Sequence, residues 1–343
     1  MLPRKEETFI DRLMSAPAAG GFRMEDYWIW CGSVINGDDG RYHMFASRWP
    51  KKYPMFSGYI LASEIVRAVS DKPEGPYKFV EKVLPSGDEN AWDGRMAHNP
   101  SICRWKGEYL LFYIGSTYTG IINVPTDNNG NTQCDESYGN INIGLATAPS
   151  VEGPWKTLST PILQPRPGKW DSKIVTNPAP CILPDGRAYL YYRSNTPQGL
   201  RIGLAVADSP KGPYRRFQDD PILEGMNVED PFAWYNGANF EMVAKDMTGE
   251  ITGEVHAGAH LHSSDGVKWT AVGKGYSRNV LWDDGRQVKQ GCLERPQILF
   301  GTDGKPLFLF AATADGPGGF RNASNTWTAA IPLNQYKNPK GGL

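Results

Sequence analysis

The sequence predicts an all-β chain folded as a single five-bladed β-propeller with four-stranded antiparallel blades. Three observations predict it: a turn-and-strand motif that occurs in five copies, a second motif that follows it, and the lack of any long helical period. The first motif runs from a turn through a polar pair to a hairpin. Ala91-Trp92-Asp93-Gly94 leads to His98-Asn99-Pro100 and then to the hairpin over 105–112. Lys169-Trp170-Asp171-Ser172 leads to Thr176-Asn177-Pro178 and the hairpin over 185–192, with the same seven-residue step from Trp to Asn. Val228-Glu229-Asp230-Pro231 and Leu293-Glu294-Arg295-Pro296 are further copies, and Cys31-Gly32-Ser33 with Asp39-Gly40-Arg41 is the least regular one. The second motif appears as Ala68-Val69-Ser70 to Gly75-Pro76-Tyr77, Ala146-Thr147-Ala148 to Gly153-Pro154-Trp155, and Ala205-Val206-Ala207 to Gly212-Pro213-Tyr214. A variant with a Ser-Asp-Gly turn spans 262–269.

Short strands between Gly, Asp-Gly and Gly-Pro turns are antiparallel hairpins, and such a unit repeated along the chain forms the blades of a radial array. The blades are expected at roughly 25–85, 92–165, 170–224, 225–279 and 280–335. A short helix is allowed over 6–14, and residues 121–140 form an insertion in the second blade, expected to be a lid or a subsite-forming loop. Its Asp127-Asn128-Asn129-Gly130-Asn131 run has calcium-loop composition without the EF-hand spacing.

The chain has 343 residues with 36 basic and 37 acidic side chains, a formal net charge of -1 that recruits neither nucleic acid nor an anionic membrane. No apolar run approaches a membrane span. The five cysteines form no CxxC pair, which argues for buried thiols over disulfides or zinc. Residues 1–7 hold no apolar stretch of signal-peptide type. Taken literally the chain is cytoplasmic; a trimmed periplasmic or secreted chain would read the same, so localisation stays open.

In a propeller the innermost strand of each blade lines a central channel, so equivalent positions far apart in sequence meet at its mouth. Those positions here are polar or charged: Glu25 and Asp26, His98 and Asn99, Asn177, Glu229 and Asp230, Glu294 and Arg295. Charge gathered in a confined place is costly without partners, and catalysis is a reason to keep it. Trp92, Trp170 and Trp282 belong to the repeated turns and are expected to pack between blades, whereas one of Trp28, Trp30 and Trp49 is free to form a stacking platform. His256, His260 and His262 alternate and would share one face of a strand. Each is expected to be a structural histidine, with a metal-binding pair as the other reading.

At these motifs the sequence resembles the five-bladed propeller glycosidases, most closely glycoside hydrolase family 43, with relatives in families 32, 68 and 117. That resemblance implies an inverting hydrolysis in which a first-blade Asp is the base, a third-blade Asp tunes the acid, and a fourth-blade Glu is the acid. Glu229, two residues before Pro231, matches the acid; Asp26 matches the base, with Glu25 as the alternative. Asn177 stands where the tuning Asp is expected, so it carries no charge but can bond a sugar hydroxyl. The implied substrate is a plant or algal oligosaccharide attacked from its end, contacted by His98, Asn99, Asn177, Glu294 and Arg295. No cofactor is required by this chemistry. A structural calcium or another central ion is the open point, because related propellers place a His near a central ion. No nucleic acid or membrane partner is implied, and the oligomeric state is open. The rival reading is a propeller that binds glycans without cleaving them, motivated by Asn177 and the irregular first blade.

Overall fold

The computed structural model describes residues 7–316 and 318–336. Glu6, where the expected short helix begins, lies outside the described residues; Phe9–Arg12 form one 3-10 turn.

Blade one is built from β1 (Tyr27–Asn36), β2 (Tyr42–Pro50), β3 (Glu64–Ser70) and β4 (Lys78–Leu84), paired in that order. Blade two contains β5 (Met96–Trp105), β6 (Glu108–Ser116), β7 (Asn142–Ala148) and β8 (Lys156–Thr157). Blade three contains β9 (Thr176–Ile182), β10 (Ala188–Thr196), β11 (Gly199–Ala207) and β12 (Arg215–Arg216). Blade four contains β13 (Val228–Tyr235), β14 (Phe240–Asp246), β15 (Gly258–Ser263) and β16 (Thr270–Tyr276). After a small hairpin, β17 (Asn279–Leu281) and β18 (Gln287–Lys289), blade five follows with β19 (Cys292–Phe300), β20 (Pro306–Ala314) and β21 (Thr326–Pro332). All pairings within the blades are antiparallel. The inner strands β1, β5, β9, β13 and β19 each pack against the inner strands of both neighbouring blades, which closes the circle.

The fourth edge of the last blade comes from the start of the chain. Phe22 and Thr328 exchange two backbone hydrogen bonds of 3.0 Å, and Leu13 bridges Leu333. Gly21 permits this approach: its φ is +72°, and a Cβ there would stand 1.9 Å from the Thr328 carbonyl oxygen. Tying the first residues into the last blade removes an open seam between blade five and blade one.

The repeated turns have a physical role in each blade. Trp92 stacks on Tyr113 and Trp170 on Tyr192, with ring centroids 6.0 and 5.8 Å apart. The adjoining Asp93 and Asp171 accept the hydroxyls of those same tyrosines. The Trp-Asp pair thus clamps the second strand of its own blade, a contact within a blade where packing between blades was expected. In the second motif Gly75, Gly153 and Gly212 all have positive φ (90°, 102° and 88°), a turn geometry that costs glycine nothing.

Two helices have no counterpart in the sequence reading: α1 (Met55–Ala62), between β2 and β3, and α2 (Thr132–Gly139), inside the 121–140 insertion. Asn131 caps α2 by accepting the Cys134 N–H at 2.9 Å. Neither is a long apolar helix, and no helix among the described residues is long and apolar enough to cross a membrane. The expected histidine face forms only in part: β15 carries His260 and His262 on one face but begins after His256, which has φ +64°. His260 bonds Glu241 at 3.2 Å on the third strand of its blade, away from the channel.

Phe22 is 1% exposed in a cluster with Ile29, Met44, Phe308 and Phe310, which spans blades one and five. Phe22→Ala is expected to cost about 3–5 kcal/mol, read as a lower midpoint in chemical denaturation. A midpoint equal to that of the unsubstituted protein would show that the N-terminal segment does not hold the circle closed.

Candidate active site

Each inner strand carries one residue in the left-handed region, and the five are equivalent by position: Cys31 (φ +55°), Asn99 (+54°), Asn177 (+55°), Asp230 (+55°) and Arg295 (+53°). At each, the ladder slips, so that this residue and the next face a single partner on the second strand. Such a bulge bends the strand and re-aims a side chain. The residue that follows is Gly32, Pro100, Pro178, Pro231 or Pro296, and proline suits a place where no ladder donor is needed. Asn and Asp tolerate φ > 0 better than other side chains, which accounts for three of the five. The Asn-Pro, Asp-Pro and Arg-Pro pairs of the sequence are therefore the marks of these bulges.

Four of these side chains and the Arg295 backbone form a hydrogen-bonded floor across the channel. Cys31 Sγ donates to Asn99 Oδ1 at 2.7 Å, and Asn99 Nδ2 donates to Asn177 Oδ1 at 2.7 Å. Asn177 Nδ2 donates to Asp230 Oδ1 at 2.5 Å, and the Arg295 backbone N–H donates to Asp230 Oδ2 at 3.2 Å. Asn177 works here as a relay, accepting on one side and donating on the other; an ionised Asp could not donate.

Above the floor lies a cavity of about 270 Å³. Trp30, Trp49, Phe56, Tyr59 and Phe320 form an aromatic wall, and Tyr138 from α2 also lines the cavity, packed on the same cluster as Phe56 and Tyr59. His98 stacks on Tyr59 with centroids 4.9 Å apart, and its Nδ1 pairs with Ser63 Oγ at 2.7 Å. Burial, helped by Arg295, lowers the His98 pKa to about 3, so the ring is neutral. The 121–140 insertion closes one side. Asn128 Oδ1 accepts the Phe56 N–H at 2.8 Å, Ser57 Oγ donates to the Asp127 carbonyl at 2.8 Å, and Asn128 Nδ2 donates to the Arg321 carbonyl at 3.2 Å. Asp127 itself turns back onto Asn129.

Glu229, Asp230 and Glu294 gather on the other side around Lys245. The Lys245 ammonium is 2.6 Å from Glu294 Oε1 and 3.4 Å from Glu229 Oε2, and Arg193 Nη2 is 3.3 Å from Glu229 Oε1. Burial alone would raise the Glu229 pKa, but Lys245 and Arg193 outweigh it and the net direction is down. Asp230 moves the other way: burial first, then the Glu229 charge, push it up to about 7. The neighbouring negative charge thus raises Asp230, while Glu229 is held down by its cations. Lys245 would be lowered by burial, but Glu294, Glu229 and Asp230 together raise it, so it is a fixed cation.

Of the residues expected at the site, Glu229, His98, Asn99, Asn177, Glu294 and Arg295 all line the cavity. Asp26 does not. It and Glu25 are exposed in the turn before β1, where the Asp26 carbonyl accepts the Lys51 N–H. Asp26 lies five positions upstream of the floor position Cys31, about 16 Å of strand. The first blade thus contributes Trp30 and Cys31 where a base was expected. Sequence reading missed Lys245 and Arg193, both on second strands; the visible signal was a lysine inside the apolar run of β14.

A cation at the channel centre is not what these residues suit. The fifth floor position is a guanidinium, and among the described residues no group of three or more His, Cys, Asp or Glu could hold a metal ion.

No protein-family model matches the sequence, and no curated protein matches it. Solved structures do match over almost the full chain. A family 117 glycoside hydrolase of the marine bacterium Zobellia galactanivorans aligns at TM-score 0.71 and 16% identity, over 97% of this chain and 94% of that one. The fold is that of the propeller glycoside hydrolases. A thermostable family 43 glycoside hydrolase aligns at TM-score 0.59 and 16% identity, over 96% of each of the two chains. The native arabinanase Arb43A of Bacillus subtilis aligns at 0.56 and 12%, over 92% and 96%. The propeller glycosidase resemblance read from the motifs is thus matched by the architecture.

Because Asp230 owes part of its raised pKa to the Glu229 charge, Glu229→Gln should bring Asp230 down toward the ordinary carboxylate range. Carbon-13 NMR of labelled Asp carboxyls in both proteins measures this, and an unchanged titration near 7 would mean that burial alone sets it.

Proposed function

We propose that this chain is a glycoside hydrolase that removes a terminal sugar from an oligosaccharide in the cavity at the channel mouth. The observation that carries this reading is the convergence of Glu229, Asp230 and Glu294 on Lys245 beside a wall of aromatic rings. Likeness of fold to glycoside hydrolases supports it. The cavity, about 270 Å³, lies just under the ~300–1,000 Å³ usual for drug-sized ligands, which suits one or two sugar rings. Closure by the insertion on one side favours attack at a chain end.

Glycoside hydrolysis needs one protonated carboxyl for the leaving oxygen and one ionised carboxylate on the other side of the anomeric carbon. Glu229 and Asp230, adjacent and oppositely shifted, titrate as a pair that keeps one proton up to near neutrality. Glu229 has the better access to the cavity, its side chain being 16% exposed against 3% for Asp230. A substrate that draws Lys245 or Arg193 away from Glu229 removes what holds its pKa down, and the shared proton then resides on Glu229, the general acid. The second role, assigned to Asp26 from the sequence, passes to Glu294, which shares the Lys245 ammonium with Glu229.

The spacing bears on stereochemistry. The nearest oxygens of Glu229 and Glu294 are no further apart than contacts of 3.4 and 2.6 Å laid end to end. Taken between nearest oxygens, that upper bound lies below the roughly 6.5–9.5 Å that leaves room for water in an inverting pair and is compatible with the ~5–5.5 Å of a retaining pair. We therefore favour retention, with Glu294 as nucleophile, over the inversion implied by the family resemblance.

The test is turnover on a panel of aryl glycosides and oligosaccharides. Glu229→Gln and Glu294→Gln are each expected to lower kcat by about 10²–10⁴-fold with unchanged circular dichroism, and NMR of the first-formed product should show the substrate's own anomer. As pH rises through about 7 the pair loses its shared proton, so kcat/KM should fall on the alkaline side. One observation favours a second reading, a glycan-binding propeller: Cys31 occupies the first-blade place of a carboxylate. No activity above the Glu229→Gln protein on any substrate would select that reading.

A further inference from the structure

The cavity holds three cationic side chains, Arg193, Lys245 and Arg295. Two of them are balanced: Arg193 lies against Glu229, and Lys245 against Glu229 and Glu294. Arg295 is not. It is 2% exposed, yet none of its Nε, Nη1 and Nη2 atoms has a hydrogen-bond acceptor among the described residues. Asp230 Oδ1 stands 3.6 Å from Nη1, beyond hydrogen-bond reach. Both Asp230 oxygens already accept from Asn177 Nδ2 and the Arg295 backbone N–H, and burial keeps that carboxyl protonated up to near neutrality. The Cys31 thiol beside the guanidinium is a weak acceptor, and burial raises its pKa well above the ordinary thiol value, so it supplies no charge.

A buried guanidinium without acceptors is costly, and an arginine at φ +53° adds backbone strain to that cost. Three other blades fill the same position with the neutral Cys31, Asn99 and Asn177, so the propeller geometry does not demand a cation there. Strain and unmet donors kept together at the floor of a cavity mark a ligand site. The planar fork of a guanidinium matches a two-oxygen anion and is poorly served by single hydroxyls.

We propose that Arg295 receives the carboxylate of an acidic sugar, so that the residue held in this cavity is a uronic acid or a related sugar acid. This rests on the cavity being a sugar site, as the hydrolase reading has it, and adds the substrate class. The acid group would lie deepest, against the floor, with the ring face along the aromatic wall and the glycosidic oxygen toward Glu229.

Binding to the unsubstituted protein tests it without turnover. Titration calorimetry would compare D-glucuronate with D-glucose and D-galacturonate with D-galactose, at matched ionic strength, with sodium acetate and sodium chloride as anions lacking a ring. At least one acid should bind about ten-fold or more tighter than its neutral partner and tighter than acetate or chloride. Arg295→Gln should abolish that preference and Arg295→Lys should weaken it, each checked for folding by thermal melting. If neither variant folds, the wild-type comparison alone decides. A panel in which no acid outbinds its neutral partner overturns the proposal, as does a folded Arg295→Gln protein that keeps the preference. Acetate or chloride binding as tightly as the sugar acids also overturns it, leaving a simple anion site. Turnover of neutral aryl glycosides without any acid preference removes the substrate class and leaves hydrolysis standing. Acid-selective binding without turnover on any glycoside does the reverse.

Discussion

The site depends on one repeated backbone constraint, a left-handed residue at a bulge in the inner strand of every blade. Without the bulge each inner strand would alternate regularly, and its polar residue would be only one of several facing the channel. With it, Cys31, Asn99, Asn177, Asp230 and Arg295 turn inward at one level and bond to one another in sequence. A non-glycine residue in this region costs about 1–3 kcal/mol in the strained case, less for Asn and Asp. That cost is tolerable because each residue shares a hydrogen bond with a neighbour in an adjacent blade, Arg295 through its backbone N–H alone. The floor is therefore also a joint that couples blades with no sequence contact, from Cys31 in the first to Arg295 in the fifth.

The direction of the bonds in that floor governs the electrostatics above it. Donors point from Cys31 through Asn99 and Asn177 toward Asp230, so the chain of amides ends on a carboxyl. Hydrogen bonds of this kind favour the ionised form, and Arg295 and Lys245 lie near as well; burial and the Glu229 charge are larger and keep Asp230 high. Glu229, one residue earlier and one face over, meets Lys245 and Arg193 and goes low. Two adjacent carboxyls in one strand are driven apart because alternation sends them into different surroundings. A site that must supply both a proton and a negative charge gains from such a split.

The blade repeat was legible because its turns need particular residues: Gly at positive φ, Asp beside Trp to clamp a tyrosine, Pro after the bulge. Most of the floor and the acidic wall was legible for the same reason, since residues before Pro at equivalent positions must meet in a radial fold. Asp26 was misplaced because the first blade has Gly32 after its bulge where the others have Pro, so the register of that copy was hidden and a carboxylate five residues upstream was drawn into it. The helix α1 was hidden too: Met55-Phe56-Ser57-Gly58-Tyr59-Ile60-Leu61 is apolar almost throughout, and such a run shows no 3.6-residue stripe. Lys245 was missed because a second strand does not face the channel in an ideal blade. It reaches the carboxylates because the bulge at Asp230 opens the inner strand in front of it.

The blades divide the work unequally, and the division follows from which of them carry charge. Blade one and its helix supply Trp30, Trp49, Phe56 and Tyr59, an unreactive aromatic surface suited to sugar faces. Blades four and five supply Glu229, Asp230, Lys245, Glu294 and Arg295, where reactive groups and counter-charges lie within a few ångströms of each other. Cys31, standing where the resemblance implied a first-blade carboxylate, is coherent in that arrangement. A carboxylate at position 31 would stand beside the Arg295 guanidinium and neutralise it, whereas a buried thiol leaves the guanidinium unpaired. The neutral thiol in blade one and the unsatisfied cation in blade five are then a single feature of the floor, and the positive charge left unpaired beneath the cavity is what a ligand must answer.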